Sequence, residues 1–167
     1  IQSVNMSTTG NTSDFGDMSI NPLNPTIAAD RTRLLSAGGF DNPSNINTIN
    51  FVTMSSEGNG QDFGDLPFLR QNMAGANSST RSVFANGSHA GSHNTIVFVT
   101  TQSLGDAIDF GDSSRTRSSS RAVASPTRMV IGGGGDPQFN IIDYITFSTQ
   151  GNAADFGDLV NIKKYAA

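Results

Sequence analysis

The chain has no cysteine and no tryptophan. Without thiols, disulfide frameworks, zinc ribbons, redox dithiols and thiol nucleophiles are excluded. Charge is also scarce. Asp, Glu, Lys and Arg make up 14% of the 167 residues, and the balance is acidic, with a net charge of −4. A protein that tracks phosphates needs a basic face, so the composition argues against nucleic acid and equally against an anionic membrane surface. No apolar run approaches the ~18 residues of a membrane span. Histidine occurs only at His89 and His93, which gives no basis for a Ser-His-Asp triad. The chain starts at Ile1 with no charged segment before an apolar core, so no signal peptide is visible and a processed chain or fragment is expected.

Hydrophobic residues are only 35%, and the difference is made up by 18 glycines together with Ser, Thr and Asn. This is the composition of short strands joined by tight turns. No segment keeps a 3.6-residue period between caps, so almost no helix is expected.

The organising feature is a repeat. Asp-Phe-Gly-Asp occurs at Asp14-Phe15-Gly16-Asp17, Asp62-Phe63-Gly64-Asp65, Asp109-Phe110-Gly111-Asp112 and Asp155-Phe156-Gly157-Asp158. The starting positions differ by 48, 47 and 46 residues. An Ile-led segment precedes each: Ile1–Met6, Ile49–Met54, Ile96–Thr101 and Ile142–Phe147. Its β-branched and aromatic residues suit a pleated surface. A Thr-Arg pair opens another apolar segment at Arg33, Arg81 and Arg128, and glycines follow at Gly38-Gly39, Asn86-Gly87 and Gly132–Gly135. Each unit then reads as a Thr-Arg strand, glycines, a variable polar turn, the Ile-led strand, a Gly-Asn type turn, Asp-Phe-Gly-Asp, and a closing Ser/Asn/Ala-rich stretch. The units fall at about 1–46, 47–93, 94–139 and 140–167, forming one repeat domain. Three or four short strands per ~47 residues is the pattern of propeller blades.

The order of apolar strand, double glycine, variable turn, aromatic strand, second aromatic, Leu and Arg resembles the kelch repeat. Gly38-Gly39 and Gly132-Gly133 stand for its double glycine. Tyr144, Phe51 and Phe98 lie near its tyrosine, and Phe15, Phe63, Phe110 and Phe156 take the place of its tryptophan. Leu66 and Arg70 match its downstream Leu and Arg. The chain departs from the pattern in having no Trp and in using Asn86-Gly87 for one glycine pair. The phrase spanning 142–159 is similar to kelch-like repeats in structural or tail-fibre proteins of marine bacteriophages. The resemblance implies an all-β, kelch-like β-propeller of four units, alone or within a larger ring.

The motifs carry little chemistry. In Asp-Phe-Gly-Asp the first Asp is expected to bond its own backbone in a turn, Phe to pack between units, and Gly to supply positive φ. Phe63, Phe110 and Phe156 are accordingly expected to be buried. Asp62, Asp65, Asp155 and Asp158 are the candidate calcium ligands, since paired carboxylates around a glycine suit a hard cation. Four occurrences without a helical lobe or a catalytic Asn exclude a kinase reading. Gly132–Gly135 lacks the Lys-Ser/Thr and helix of a phosphate cradle. His89 and His93 have no third ligand in view. Arg115, Arg117 and Arg121 are candidate anion contacts.

The expected function is a non-enzymatic structural or adhesive virion protein, a tail fibre or other appendage, without cofactor. Its partners would be other virion subunits or further repeats of the same protein, with a host-surface glycan as a candidate ligand. The alternative is an extracellular bacterial surface module that binds carbohydrate or protein, although the absence of Trp gives sugar-stacking platforms little support. Four Ile-led strands against three Thr-Arg strands lead to the expectation that the chain is a segment of a longer propeller or the ordered part of one.

Overall fold

The computed structural model describes residues 1–135 and 138–163; the last residues of the fourth unit, 164–167, lie outside the described residues. The described residues are all-β with no helix. A short hairpin of β1 (Gln2–Ser3) and β2 (Ser13–Asp14) comes first. Three four-stranded antiparallel sheets follow, each with its strands side by side in chain order. The first sheet comprises β3 (Thr26–Ala29), β4 (Arg33–Ala37), β7 (Thr48–Thr53) and β8 (Gln61–Asp65). A small hairpin of β5 (Phe40–Asp41) and β6 (Ser44–Asn45) projects from it. The second sheet is β9 (Ala74–Asn77), β10 (Arg81–Ala85), β11 (His93–Thr100) and β12 (Ile108–Arg117). The third is β13 (Arg121–Ala124), β14 (Arg128–Gly132), β15 (Phe139–Thr146) and β16 (Ala154–Lys163).

The period of the sequence matches the sheets, but its phase does not. Each sheet takes two strands from the end of one counted unit and two from the start of the next. The closing Ser/Asn/Ala-rich stretch is in fact the first strand of a sheet: β3, β9 and β13. The turn from that strand to the Thr-Arg strand is built by one side-chain oxygen. Asp30 Oδ1 accepts the amides of Thr32 and Arg33, both at 2.7 Å. Ser78 Oγ accepts those of Thr80 and Arg81, at 3.2 and 3.1 Å, and Ser125 Oγ those of Thr127 and Arg128, at 3.3 and 3.1 Å. Thr-Arg thus marks the exit of an Asx or Ser turn.

The glycine pair turns the chain out of the second strand. Gly38 and Gly39 have φ of 61° and 115°, and Gly133 and Gly134 have 63° and 119°, so the third pair lies one residue later than the sequence registration. Asn86 adopts φ 65° before Gly87 at 96°. Asparagine tolerates the left-handed region better than other side chains, which is why the same turn forms with Asn in place of the first glycine.

The core consists of two thin layers between sheets. Leu35, Ile49, Phe51 and Phe63 of the first sheet meet Phe84, Val97 and Val99 of the second. Val83, Ile96, Phe98 and Phe110 of the second meet Met129, Ile131, Ile145 and Phe147 of the third. The repeat therefore needs few apolar residues, because each sheet shares its core with its neighbours.

Candidate functional site

The recurring site is the seam between consecutive sheets, and Asp-Phe-Gly-Asp builds it. In β8, β12 and β16 the motif forms a β-bulge rather than a turn. Asn50 pairs with Asp62 and Ile49 with Gly64, leaving Phe63 as the extra residue, and the same shift recurs at Phe110 and Phe156. The bulge swings Phe edge-on against the aromatic of the Ile-led strand. Phe51–Phe63, Phe98–Phe110 and Tyr144–Phe156 are T-shaped pairs with centroids 5.8, 5.7 and 5.9 Å apart. The Thr-Arg guanidinium caps the column: Arg33 over Phe51, Arg81 over Phe98 and Arg128 over Tyr144, at 4.7, 4.5 and 4.8 Å.

These are edge strands, so their outer backbone groups need partners. The next sheet supplies them from the turn before its own Asp-Phe-Gly-Asp. Phe63 O accepts Gly105 N at 2.8 Å, Asp65 N donates to Asp106 Oδ1 at 2.9 Å, and Asp65 O accepts Ala107 N at 2.8 Å. The next seam repeats this with Phe110 O, Asp112 N and Asp112 O against Gly151, Asn152 Oδ1 and Ala153. The hairpin does the same to the first sheet, through Phe15 O, Asp17 N and Asp17 O against Gly58, Asn59 Oδ1 and Gly60. Glycine is required at the centre of the clasp. A Cβ on Gly16, Gly64 or Gly111 would meet the opposing carbonyl oxygen at 2.3, 2.5 or 2.4 Å. The arginines add a further link, Arg33 Nη1 to Thr101 O at 3.0 Å and Arg81 Nη1 to Phe147 O. The Gly-Asn type turn legible in the sequence thus has a second role that its composition does not reveal: Asn59, Asp106 and Asn152, each three residues before an Asp-Phe-Gly-Asp, are the acceptors of the seam.

Phe63 and Phe110 are each 2% exposed, as expected, but Phe156 is 56% exposed because, among the described residues, no sheet covers the outer face of the third. Asp62, Asp65, Asp155 and Asp158 are exposed, and among the described residues no three His, Cys, Asp or Glu side chains gather where they could hold a metal ion. The local bond expected of the first Asp occurs at Asp14 and Asp155, whose Oδ1 atoms accept Gly16 N and Gly157 N at 3.2 and 3.1 Å. The two imidazoles point to different partners: His89 Nδ1 to the Asn45 amide and His93 Nε2 to the His89 carbonyl.

The three candidate anion-binding arginines are separated. Arg115 and Arg121 are exposed, but Arg117 is fully buried. Its Nη2 lies 2.6 Å from Asp143 Oδ2, with both side chains at 0% exposure, and its Nη1 donates to the carbonyls of Gly133 and Ile141. Burial pushes the Arg117 pKa down and the Asp143 carboxylate draws it back up, leaving it below the ordinary value. Arg117 therefore joins the second and third sheets and is closed to an external anion. Arg70, at the same place in the first sheet, is buried without an acid, and burial alone lowers its pKa to about 10. It stacks 3.6 Å over Phe68 and donates to Asn86 O.

Where the three Asx/Ser turns converge, they line an open depression of about 570 Å³ with Asp30, Arg31, Ser78, Ser79, Gln102 and Ser125 at its wall. Burial raises the Asp30 pKa, but hydrogen bonds from the Arg33 and Thr32 amides, the Thr32 hydroxyl and the Gln102 amide outweigh it, and the net value falls below 3.8. A carboxylate depressed in the folded state stabilises the fold above its unfolded pKa, about 3.9, and that contribution disappears as pH falls through the folded value. Asp30→Asn keeps an acceptor oxygen, so its melting temperature should fall less than that of the wild type between pH 5 and pH 2. Equal losses in both proteins would count against this role.

No protein-family model matches the chain, and no curated protein matches it in sequence.

Proposed function

We propose that the chain is a non-enzymatic structural or adhesive module of kelch-like propeller blades, belonging to a virion appendage such as a tail fibre. The observation that carries the reading is the seam, made three times with the same backbone bonds. An array held together mainly by main chain and buried aromatics is a rigid scaffold whose loops are free to vary, and loops on a rigid scaffold are where binding surfaces arise. The propeller geometry is supported by the order of strands in every sheet and by the convergence of the three inner turns around one depression. The virion setting rests on the likeness of the 142–159 phrase to phage repeats. The polar depression favours, as a second reading, an extracellular module that binds a small polar ligand or glycan.

The experiment is to look for peptides of this chain by mass spectrometry in purified particles, alongside binding of the recombinant chain to host cells, capsule and lipopolysaccharide. Enrichment in particles at structural stoichiometry is expected. Absence from particles together with saturable glycan binding would replace the first reading with the second.

A further inference from the structure

We infer that the outer face of the third sheet receives the 1–17 hairpin of a second copy of this chain, so that chains associate head to tail. The inference rests on the seam alone and stands whether or not the virion reading holds.

Each seam has a socket, Phe-Gly-Asp, and a plug, Gly-Asx-x. Sockets 15–17, 63–65 and 110–112 hold plugs 58–60, 105–107 and 151–153. One of each is left over: the socket Phe156-Gly157-Asp158 and the plug Gly10-Asn11-Thr12. The socket is already formed. Gly157 has φ 139°, against 141°, 144° and 143° at Gly16, Gly64 and Gly111. Tyr144, Phe156 and Arg128 are stacked as in the filled seams. Only the cover is missing. Val83, Ile96 and Phe110 are 0–2% exposed, whereas their counterparts Val130 and Ile142 are half-buried and Phe156 is 56% exposed. Among the described residues the Asp158 amide and the Phe156 and Asp158 carbonyls have no partner across a seam.

The plug carries the matching groups. In sequence register Asn11 corresponds to Asn59 and Asn152, and the Gly10 and Thr12 amides to those of Gly58 and Gly60, while Gly10 lacks the positive φ of Gly58, Gly105 and Gly151, so the plug turn sets its backbone on docking. Val4 and Met6, 56% and 96% exposed, occupy the register of Val52 and Met54. The Met6 carbonyl corresponds to those of Thr101 and Phe147, which Arg33 and Arg81 grip, so it offers Arg128 the same partner. The hairpin is clasped to the first sheet, and the second sheet lies between the first and the third. Among the described residues no hydrogen bond joins the hairpin to the third sheet, and the hairpin of a second copy brings the same groups that fill the other three sockets. Such a contact is heterologous. It extends past a dimer to a ring or filament.

Sedimentation velocity of the 167-residue chain, from low-micromolar to submillimolar concentration, tests this. The mean mass should rise with concentration beyond that of a dimer. Asn11→Ala with Thr12→Pro removes the plug's oxygen and one amide, and should weaken association about tenfold or more. Gly157→Ala places a Cβ in the path of the incoming carbonyl; it meets nothing within 4 Å in its own chain, though it strains its own backbone at φ 139°, and it should weaken association equally. Circular dichroism verifies that both variants fold. The decisive arm is their mixture. The first variant keeps its socket and the second its plug, so together they should form a one-to-one dimer and nothing larger. A wild type that stays monomeric at every concentration, including by closure on its own socket, overturns the inference. So does association that neither variant weakens, or a mixture that stays monomeric.

Discussion

Replacing Phe110 with Ala should destabilise the chain by about 3–5 kcal/mol, whereas Phe156→Ala should cost about 1 kcal/mol or less. Both rings occupy the same motif and make the same T-shaped pair, so the local bulge does not distinguish them. Their surroundings do. Phe110 lies in the layer against the third sheet at 2% exposure, and Phe156 is open to solvent at 56%. Removing the first leaves a cavity lined by apolar side chains that meet from two sheets. Removing the second leaves none. Urea unfolding of the two variants, measured on dilute chain to avoid association, gives the comparison. Similar losses at the two positions would mean that the motif stabilises its own strand and not the seam.

Asp143→Asn should cost about 3–5 kcal/mol, because it leaves the Arg117 charge buried without a counter-charge. The carboxylate also accepts the Ser114 amide and hydroxyl, so it ties β12 to β15 through two side chains. The other seam provides a natural reference. Val97 stands in β11 where Asp143 stands in β15, and Arg70 lacks any acid. Its lowered pKa of about 10 means that the cost of burying its charge is present in full at neutral pH and is relieved only as pH climbs above that value. Combining Asp143→Val with Arg117→Met removes both charges and should recover part of the loss, as replacement of buried pairs by apolar residues often does. An Asp143→Asn protein with wild-type resistance to urea would refute the assignment.

The sequence made the period, the strand content and the burial of Phe63 and Phe110 legible, because those depend on residue types that recur in register. The inner strands were not legible. Ala74-Gly75-Ala76-Asn77 has none of the β-branched alternation by which a strand is recognised. It is built from small residues because the inner strands crowd together: a Cβ on Gly75 would lie 2.6 Å from Thr26 Cγ2 and 2.7 Å from Ile27 O. The strand is thus specified by the space its neighbours leave and not by its own propensity. The exposure of Phe156 was equally hidden, since its local sequence matches that of Phe110 and the difference lies in what stands on the far side. The Arg115, Arg117 and Arg121 cluster misled for a related reason. Regular alternation would put Arg115 and Arg117 on one face; the irregularity in β12, where pairing passes from Thr95–Asp112 to His93–Arg117, separates them, and the chain turn after β12 carries Arg121 outward.

The clasp between Gly64 and Gly105 has a consequence for how such a chain can change over generations. Its bonds run mostly from main chain to main chain, and its one side-chain acceptor is an Asx found in every turn. The main-chain part of any socket can therefore accept any plug, while the Arg117–Asp143 pair is particular to the seam between the second and third sheets. A duplication or deletion of one ~47-residue unit joins a socket to a plug it has not met before, and the new junction keeps the main-chain bonds of the old. The loops meanwhile differ between sheets: among the described residues the two-stranded β5–β6 projection occurs in the first sheet alone. Unit number and loop sequence can thus vary as two independent characters.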